Sequence, residues 1–226
     1  ELDTVMVVGS GWSGHFNKTI AEVTYANIQR VGMPTWSDED QALARALQRE
    51  LGGQPRGLST AVEFTLQGPT PESQRMGGGS DDIGDVSWNV PTVTLRYPSN
   101  IPGLPGHNWS SSIASATPIA HKGALQGAKV QALTILDILL KPQVVADAWK
   151  YFREVQTAET KYTPFISPTD QPPIWMNADI MARYKPELQK YYYDARRYRT
   201  YLEQLGIRYP TTRETPRPNM NENNQQ

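Results

Sequence analysis

The chain has 226 residues, 22 basic against 23 acidic side chains, a formal net charge of -1, 38% hydrophobic and 20% charged content, and no cysteine. That composition reads as globular; near-neutral charge leaves no electrostatic footprint for nucleic acid or an anionic membrane surface. The missing cysteines exclude disulfide frameworks, cysteine zinc sites and thiol nucleophiles together.

The elements follow in chain order. Thr4 to Val8 is strand-like and breaks at Gly9-Ser10-Gly11, and Glu1-Leu2-Asp3 lacks the basic start of a signal peptide. Asn17 is placed to cap a helix with Ile20, Val23, Thr24, Ile28 and Val31 at helical spacing, ended by Gly32 and Pro34. Ser37 caps a second helix, with Asp40 three positions on as a variant capping box and Leu43, Leu47 and Leu51 as its stripe; Gly52-Gly53 stops it. A short strand is expected over residues 61–66, then a glycine loop with three carboxylates, Gly77-Gly78-Gly79-Ser80-Asp81-Asp82-Ile83-Gly84-Asp85. Residues 90–97 alternate as a strand does, with Pro91 at the entry.

Residues 98–118 read as a long loop carrying His107 and Trp109, a length that points to function. Next comes the strongest helix, with Leu125, Ala128, Ala132, Ile135, Leu136 and Leu139 as a continuous apolar face closed by Lys141-Pro142. No apolar run approaches a membrane span, the longest being residues 135–140. A helix over residues 144–157 and a tyrosine-rich helix over residues 187–205 complete the set. The polar residues 210–226 read as an exposed tail.

Carboxylates on a glycine loop followed by two histidine motifs, Pro105-Gly106-His107-Asn108-Trp109 and Ala120-His121-Lys122-Gly123, are the vocabulary of a borderline metal such as zinc. The run Gly79-Ser80-Asp81-Asp82-Ile83-Gly84-Asp85-Val86-Ser87-Trp88, followed by Val90-Pro91-Thr92, resembles the signature of aminobenzoyl-glutamate hydrolase-like amidohydrolases. These belong to the dinuclear zinc aminoacylase/carboxypeptidase superfamily. The resemblance continues through both histidine motifs, Ala128-Lys129-Val130 and residues 132–137, and covers residues 5–162.

What the resemblance implies is specific. The fold is α/β, the C-terminal portion of an α/β/α catalytic domain. Residues 1–16 would be the end of an inserted lid domain, residues 17–209 the catalytic part and residues 210–226 the tail. The activity is zinc-dependent hydrolysis of the amide bond in a small N-acyl amino acid or dipeptide-like substrate. Two zinc ions are expected in the complete site, with manganese or cobalt as alternatives.

His107 is the implied metal ligand, with His121 as the alternative ligand or a substrate contact. Asp82 and Asp85 would orient ligands or hold the loop, and Asn17 would reach the substrate if it is not simply a cap. Trp88 and Trp109 are either pocket walls or packing. The family's His-x-Asp histidine, bridging aspartate and catalytic Glu-Glu pair precede the lid and have no counterpart here. The chain is therefore expected to be inactive alone and to need a missing N-terminal segment or a companion chain. A homodimer through the lid is also implied. The absence of cysteine fits a cytoplasmic or a periplasmic protein and does not choose between them. A non-catalytic binding or structural subunit that keeps the fold is the other reading.

Overall fold

The computed structural model describes residues 8–62, 65–66 and 81–212. All but Val8 of the strand expected at Thr4 to Val8, the middle of the strand expected over residues 61–66, the glycines Gly77, Gly78 and Gly79, and most of the polar tail lie outside the described residues. The described elements are α1 (Lys18–Val31), α2 (Asp38–Glu50), α3 (Ile83–Ser87), α4 (Trp109–Ser115), α5 (Pro118–Leu140), α6 (Pro142–Tyr151), α7 (Ala178–Gln189) and α8 (Tyr201–Gln204). A π-helical turn, Phe152–Gln156, follows α6, and a 3-10 turn, Ile174–Asn177, precedes α7. No β-strand occurs among the described residues. The chain forms two compact units. The first comprises Glu1–Gly32, Val62–Arg96 and Gly127–Tyr192, and the second Met33–Ala61, Tyr97–Gln126 and Tyr193–Gln226.

In the second unit α2 starts as its sequence specifies. The Ser37 hydroxyl accepts from the Asp40 N–H, and the Asp40 carboxylate accepts from the Ser37 N–H at 2.8 Å, completing the capping box. Leu43, Ala44 and Leu47 then face a core with Leu58, Ile101, Ala114 and Ile119, against which Trp36, Leu51, Leu104 and Tyr209 pack. Each large member of such a core contributes about 1.5–3 kcal/mol by leaving water. Two glutamines of α2 hold the neighbouring loop through both ends of their amides. Gln41 pairs with the N–H and C=O of Leu58, and Gln48 with the N–H and C=O of Gly57. Gln48 also donates to the Pro102 carbonyl at 3.0 Å.

Asp40 does more than cap. It is fully buried, and beyond the Ser37 N–H its carboxylate accepts from Lys122 on α5 and from the Tyr209 hydroxyl at 2.8 Å. Burial alone would raise its pKa; the hydrogen bonds from Lys122, Ser37 and Tyr209 outweigh that and hold the carboxyl below its usual value. Tyr209 is pushed the opposite way, first by burial and then by donating to Asp40.

In the first unit α1 packs against α6. Asn27 of α1 donates to Thr134 and Asp137 of α5, at 3.3 and 2.9 Å, and accepts from Arg30. Asp137 also pairs with Lys141 one turn on, and the hydrogen bonds from Lys141 and Asn27 lower its pKa.

Helix α5 forms where expected, but with a different face inward. Ile119, Gly123, Gly127, Val130 and Thr134 make the buried stripe, while Leu125, Ile135, Leu136, Leu139 and Leu140 are exposed. Small residues win this position because they admit backbone. A Cβ at Gly123 would stand 1.8 Å from the Pro98 carbonyl oxygen. By length and composition α5 also passes as a membrane span, correcting the expectation that no apolar run reaches that length. Length and composition alone do not place it in a membrane.

Three other expectations change. Residues 98–118 are not structureless: Asn108 accepts from the Ser110 N–H and starts α4. The tyrosine-rich helix is displaced, with α7 ending at Gln189 and a turn built on Asp194 separating it from α8. Tyr191, Tyr192 and Tyr193 lie exposed in that break rather than on a half-buried helix face. The strand expected over residues 90–97 does not form among the described residues: position 90 is a bend and 91–97 are irregular.

The Asp40 cluster makes the second unit acid-sensitive. A carboxyl with a lowered folded pKa adds stability that is complete above its unfolded value, about 3.9, and is lost as pH falls through the folded value. Denaturant unfolding is therefore expected to show stability falling as pH drops from about 5 towards 2. Asp40→Asn should be less stable than wild type at pH 7 and flatter against acid. Its cost should be about 2 kcal/mol, below the roughly 3–5 kcal/mol of breaking a fully buried pair, because Lys122 keeps access to water. Equal acid slopes in the two proteins would refute the assignment.

Candidate functional site

The carboxylate loop enters α3 rather than a strand. Asp81 accepts from the Ile83 N–H at 3.0 Å, a local turn that ties the loop to the helix start. Asp82 occupies the N-cap position, exposed, with no side-chain cap bond. Asp85 is the carboxylate with reach. Its two oxygens accept from the Trp12 N–H at 3.2 Å and the Tyr162 hydroxyl at 2.9 Å, joining three distant stretches of the first unit. The bond to Asp85 raises the Tyr162 pKa, because losing the phenolic proton would set two negative charges together.

Gly84 has a physical reason to be glycine. A Cβ there would lie 1.7 Å from the Trp12 carbonyl oxygen, so α3 can meet the Trp12 backbone only with hydrogen at that position. Around this crossing the aromatic rings assemble. Trp12 stacks on Phe165 at 5.0 Å and meets Trp88 edge-on at 5.1 Å, while Trp88 lies 4.1 Å from the His15 ring. The Trp88 indole donates to the Ser13 carbonyl, so this ring is held by packing and a hydrogen bond.

Asn17 sits beside this cluster, fully buried, with every polar group engaged. Its side-chain oxygen caps α1 through the Ile20 N–H, and its amide donates to the Ala148 carbonyl and to Gln156 Oε1. Its backbone N–H donates to the Thr92 carbonyl at 2.8 Å. Any direct contact with substrate would have to break one of these bonds. Gln156 passes the chain on, donating from Nε2 to His15 Nδ1 at 3.1 Å. Since Gln156 Oε1 already accepts from Asn17, Nδ1 of His15 must be the acceptor, which puts the ring proton on Nε2. No sequence signal marked Gln156. It is aimed by the π turn, in which the Thr157 N–H bonds five residues back to the Phe152 carbonyl.

The two candidate histidines are in the second unit. His107 is exposed and has φ 51, the one non-glycine positive φ among the described residues. Histidine is among the residues that tolerate this left-handed conformation best, yet such strain concentrates at functional positions. His121 lies in the first turns of α5, also exposed. Its neighbours are committed inward, Lys122 to Asp40 and Gly123 against the Pro98 backbone, so that motif presents His121 outward. Trp109 is exposed beside a groove of about 840 Å³ along α2, lined also by Arg45, Arg49 and Thr211. Among the described residues no group of three or more histidine, aspartate or glutamate side chains is arranged to hold a metal ion.

Two stability measurements probe these positions. His107→Gly should unfold at higher denaturant than His107→Ala, by about 1 kcal/mol, since only the alanine keeps the left-handed penalty. Gly84→Ala should destabilise by about 2 kcal/mol or more, through forced backbone movement at Trp12. A Gly84→Ala protein with wild-type stability would show that this crossing is loose.

No protein-family model matches the chain, and no solved structure matches it. Among curated proteins it is similar to one of the subunits of p-aminobenzoyl-glutamate hydrolase from Escherichia coli (strain K12), with 26% identity over 168 residues. That stretch is 66% of this chain and 35% of that protein, so the match spans about a third of the relative's length. The similarity supports a distant, amidohydrolase-like relationship to a hydrolase subunit, in line with the motif around Gly84 and Asp85.

Proposed function

We propose that this chain is the C-terminal part of a metal-dependent amidohydrolase, acting on the amide bond of small N-acyl amino acid or dipeptide-like substrates together with a companion polypeptide. The observation that carries the reading is the 168-residue match to a hydrolase subunit, over a third of that protein's length. The proposed metal is zinc, with manganese or cobalt as alternatives. A catalytic zinc takes three protein ligands, and the described residues do not bring three together, so they do not form a zinc site alone. His107 is the proposed contribution of this chain to a shared site, its vector set by the left-handed backbone before Asn108; His121 is the alternative. Asp85 acts through the loop it holds, fixing α3 against Trp12 and Tyr162.

The test is hydrolysis of p-aminobenzoyl-glutamate, followed by glutamate release. The 226-residue chain alone should be inactive. Co-expressed with the polypeptide encoded immediately upstream of the Glu1 codon, it should copurify with up to two zinc equivalents by elemental analysis and turn the substrate over. His107→Ala in that assembly should lose about 10–100-fold in activity or metal affinity. If His121→Ala shows the loss instead, the ligand assignment passes to His121. Turnover by the isolated chain, or a metal-free inactive assembly, would sink the proposal; the latter favours a non-catalytic subunit.

A further inference from the structure

The second unit carries two uncommitted arginines on one helix face. Arg45 and Arg49 of α2 are exposed one turn apart, and neither makes an ion pair or a hydrogen bond among the described residues. Both line the groove of about 840 Å³ beside α2. Ala42 and Ala46, small residues of the same helix face, lie between them and Asp38 and leave the groove open. Trp109 and Thr211 border it; Trp109 is 55% exposed, and its indole N–H has no acceptor among the described residues. The Arg45 side chain lies against Gly57, where a Cβ would stand 3.3 Å from its Nε. Gln48 clamps that same glycine, so Arg45 rests on a fixed loop and its guanidinium is partly aimed in advance. Arginine and tryptophan are the residue types that dominate binding hot spots.

The geometry points to a docking site for an extended acidic segment of a partner protein. Four helical residues separate Arg45 from Arg49 by about 6 Å along the axis, and alternate residues of an extended chain lie about 6.6 Å apart. Carboxylates two positions apart therefore meet one guanidinium each, in the bidentate geometry that arginine favours. A neighbouring aromatic or aliphatic side chain meets Trp109. From Asp38 to Glu50 the helix runs about 18 Å, room for about five extended residues. Recognition of acidic motifs by clustered arginines follows the same logic. A nucleic acid is the poorer occupant. Its phosphates recur at every nucleotide, whereas Asp38 and Glu50 put carboxylates at both ends of α2 and confine positive charge to the arginine pair. The inference stands apart from the hydrolase reading, since it requires neither a metal nor the companion polypeptide.

Isothermal titration calorimetry of the isolated chain at low ionic strength tests it, with the end-capped peptide Ser-Phe-Asp-Leu-Asp-Ser as probe. The peptide should bind. Replacing both aspartates by asparagine should weaken binding at least about 10-fold, the loss of charge-assisted hydrogen bonds. Placing the aspartates side by side, Ser-Phe-Leu-Asp-Asp-Ser, should also weaken it, although the charge is the same. Arg45→Gln and Arg49→Gln should each cost at least about 10-fold while keeping the wild-type melting temperature, both side chains being exposed. Arg153→Gln removes the same charge from an exposed position in the first unit and should leave binding unchanged. No binding, equal binding of the asparagine peptide, or binding indifferent to Arg45→Gln and Arg49→Gln overturns the inference. So does a single-stranded oligonucleotide that binds more tightly than the peptide and is lost in the same two variants, which assigns the face to nucleic acid.

Discussion

The described chain must satisfy its irregular backbone without strands, and it does so with side-chain amides. A carboxamide offers a donor and an acceptor in one plane, the same pair that a neighbouring strand would present. Gln41 and Gln48 give both to the loop at Gly57 and Leu58. Asn17, Asn27 and Gln156 tie α1 to α5, α6 and the turn after it. Remove these and several loops would carry unpaired groups away from water, each costing about 1–3 kcal/mol.

Charge is spent sparingly. Asp40 is buried only because three donors converge on it, and Asp85 works at the surface by holding two segments that are far apart in sequence. In both, the carboxylate has a structural duty that accounts for its position. His107 and His121 are different: both are exposed and neither has a side-chain hydrogen bond among the described residues. The protein thus separates residues that hold its loops from residues that it offers outward.

Much of the local structure was legible in the sequence. Asn17, Ser37 with Asp40, and Gly32 set helix ends through short-range rules, and those ends are where the residues put them. The period of α5 was equally clear, but not which face turns inward, because its largest aliphatic residues are not the ones buried. Gly123 in the buried stripe admits the Pro98 backbone, a choice made by tertiary contact rather than by hydrophobicity. Residues 90–97 alternate in sequence as a strand does but form none among the described residues, since pairing depends on a partner that no local rule supplies. Gln156 was invisible because a π turn aims it, and the two units interleave three segments each, which no composition shift along the chain announces.

The amide clamps also bear on how freely this sequence can vary. Gln48 lies on a helix face that binary patterning would let any polar residue occupy, yet glutamate cannot donate to Gly57 and Pro102, and lysine cannot accept from Gly57. Asparagine carries the right groups on a stem one carbon shorter. Positions such as 17, 41 and 48 therefore admit far fewer residues than their polarity suggests, and a redesign that treats them as interchangeable surface would lose the loops before it touched the apolar core.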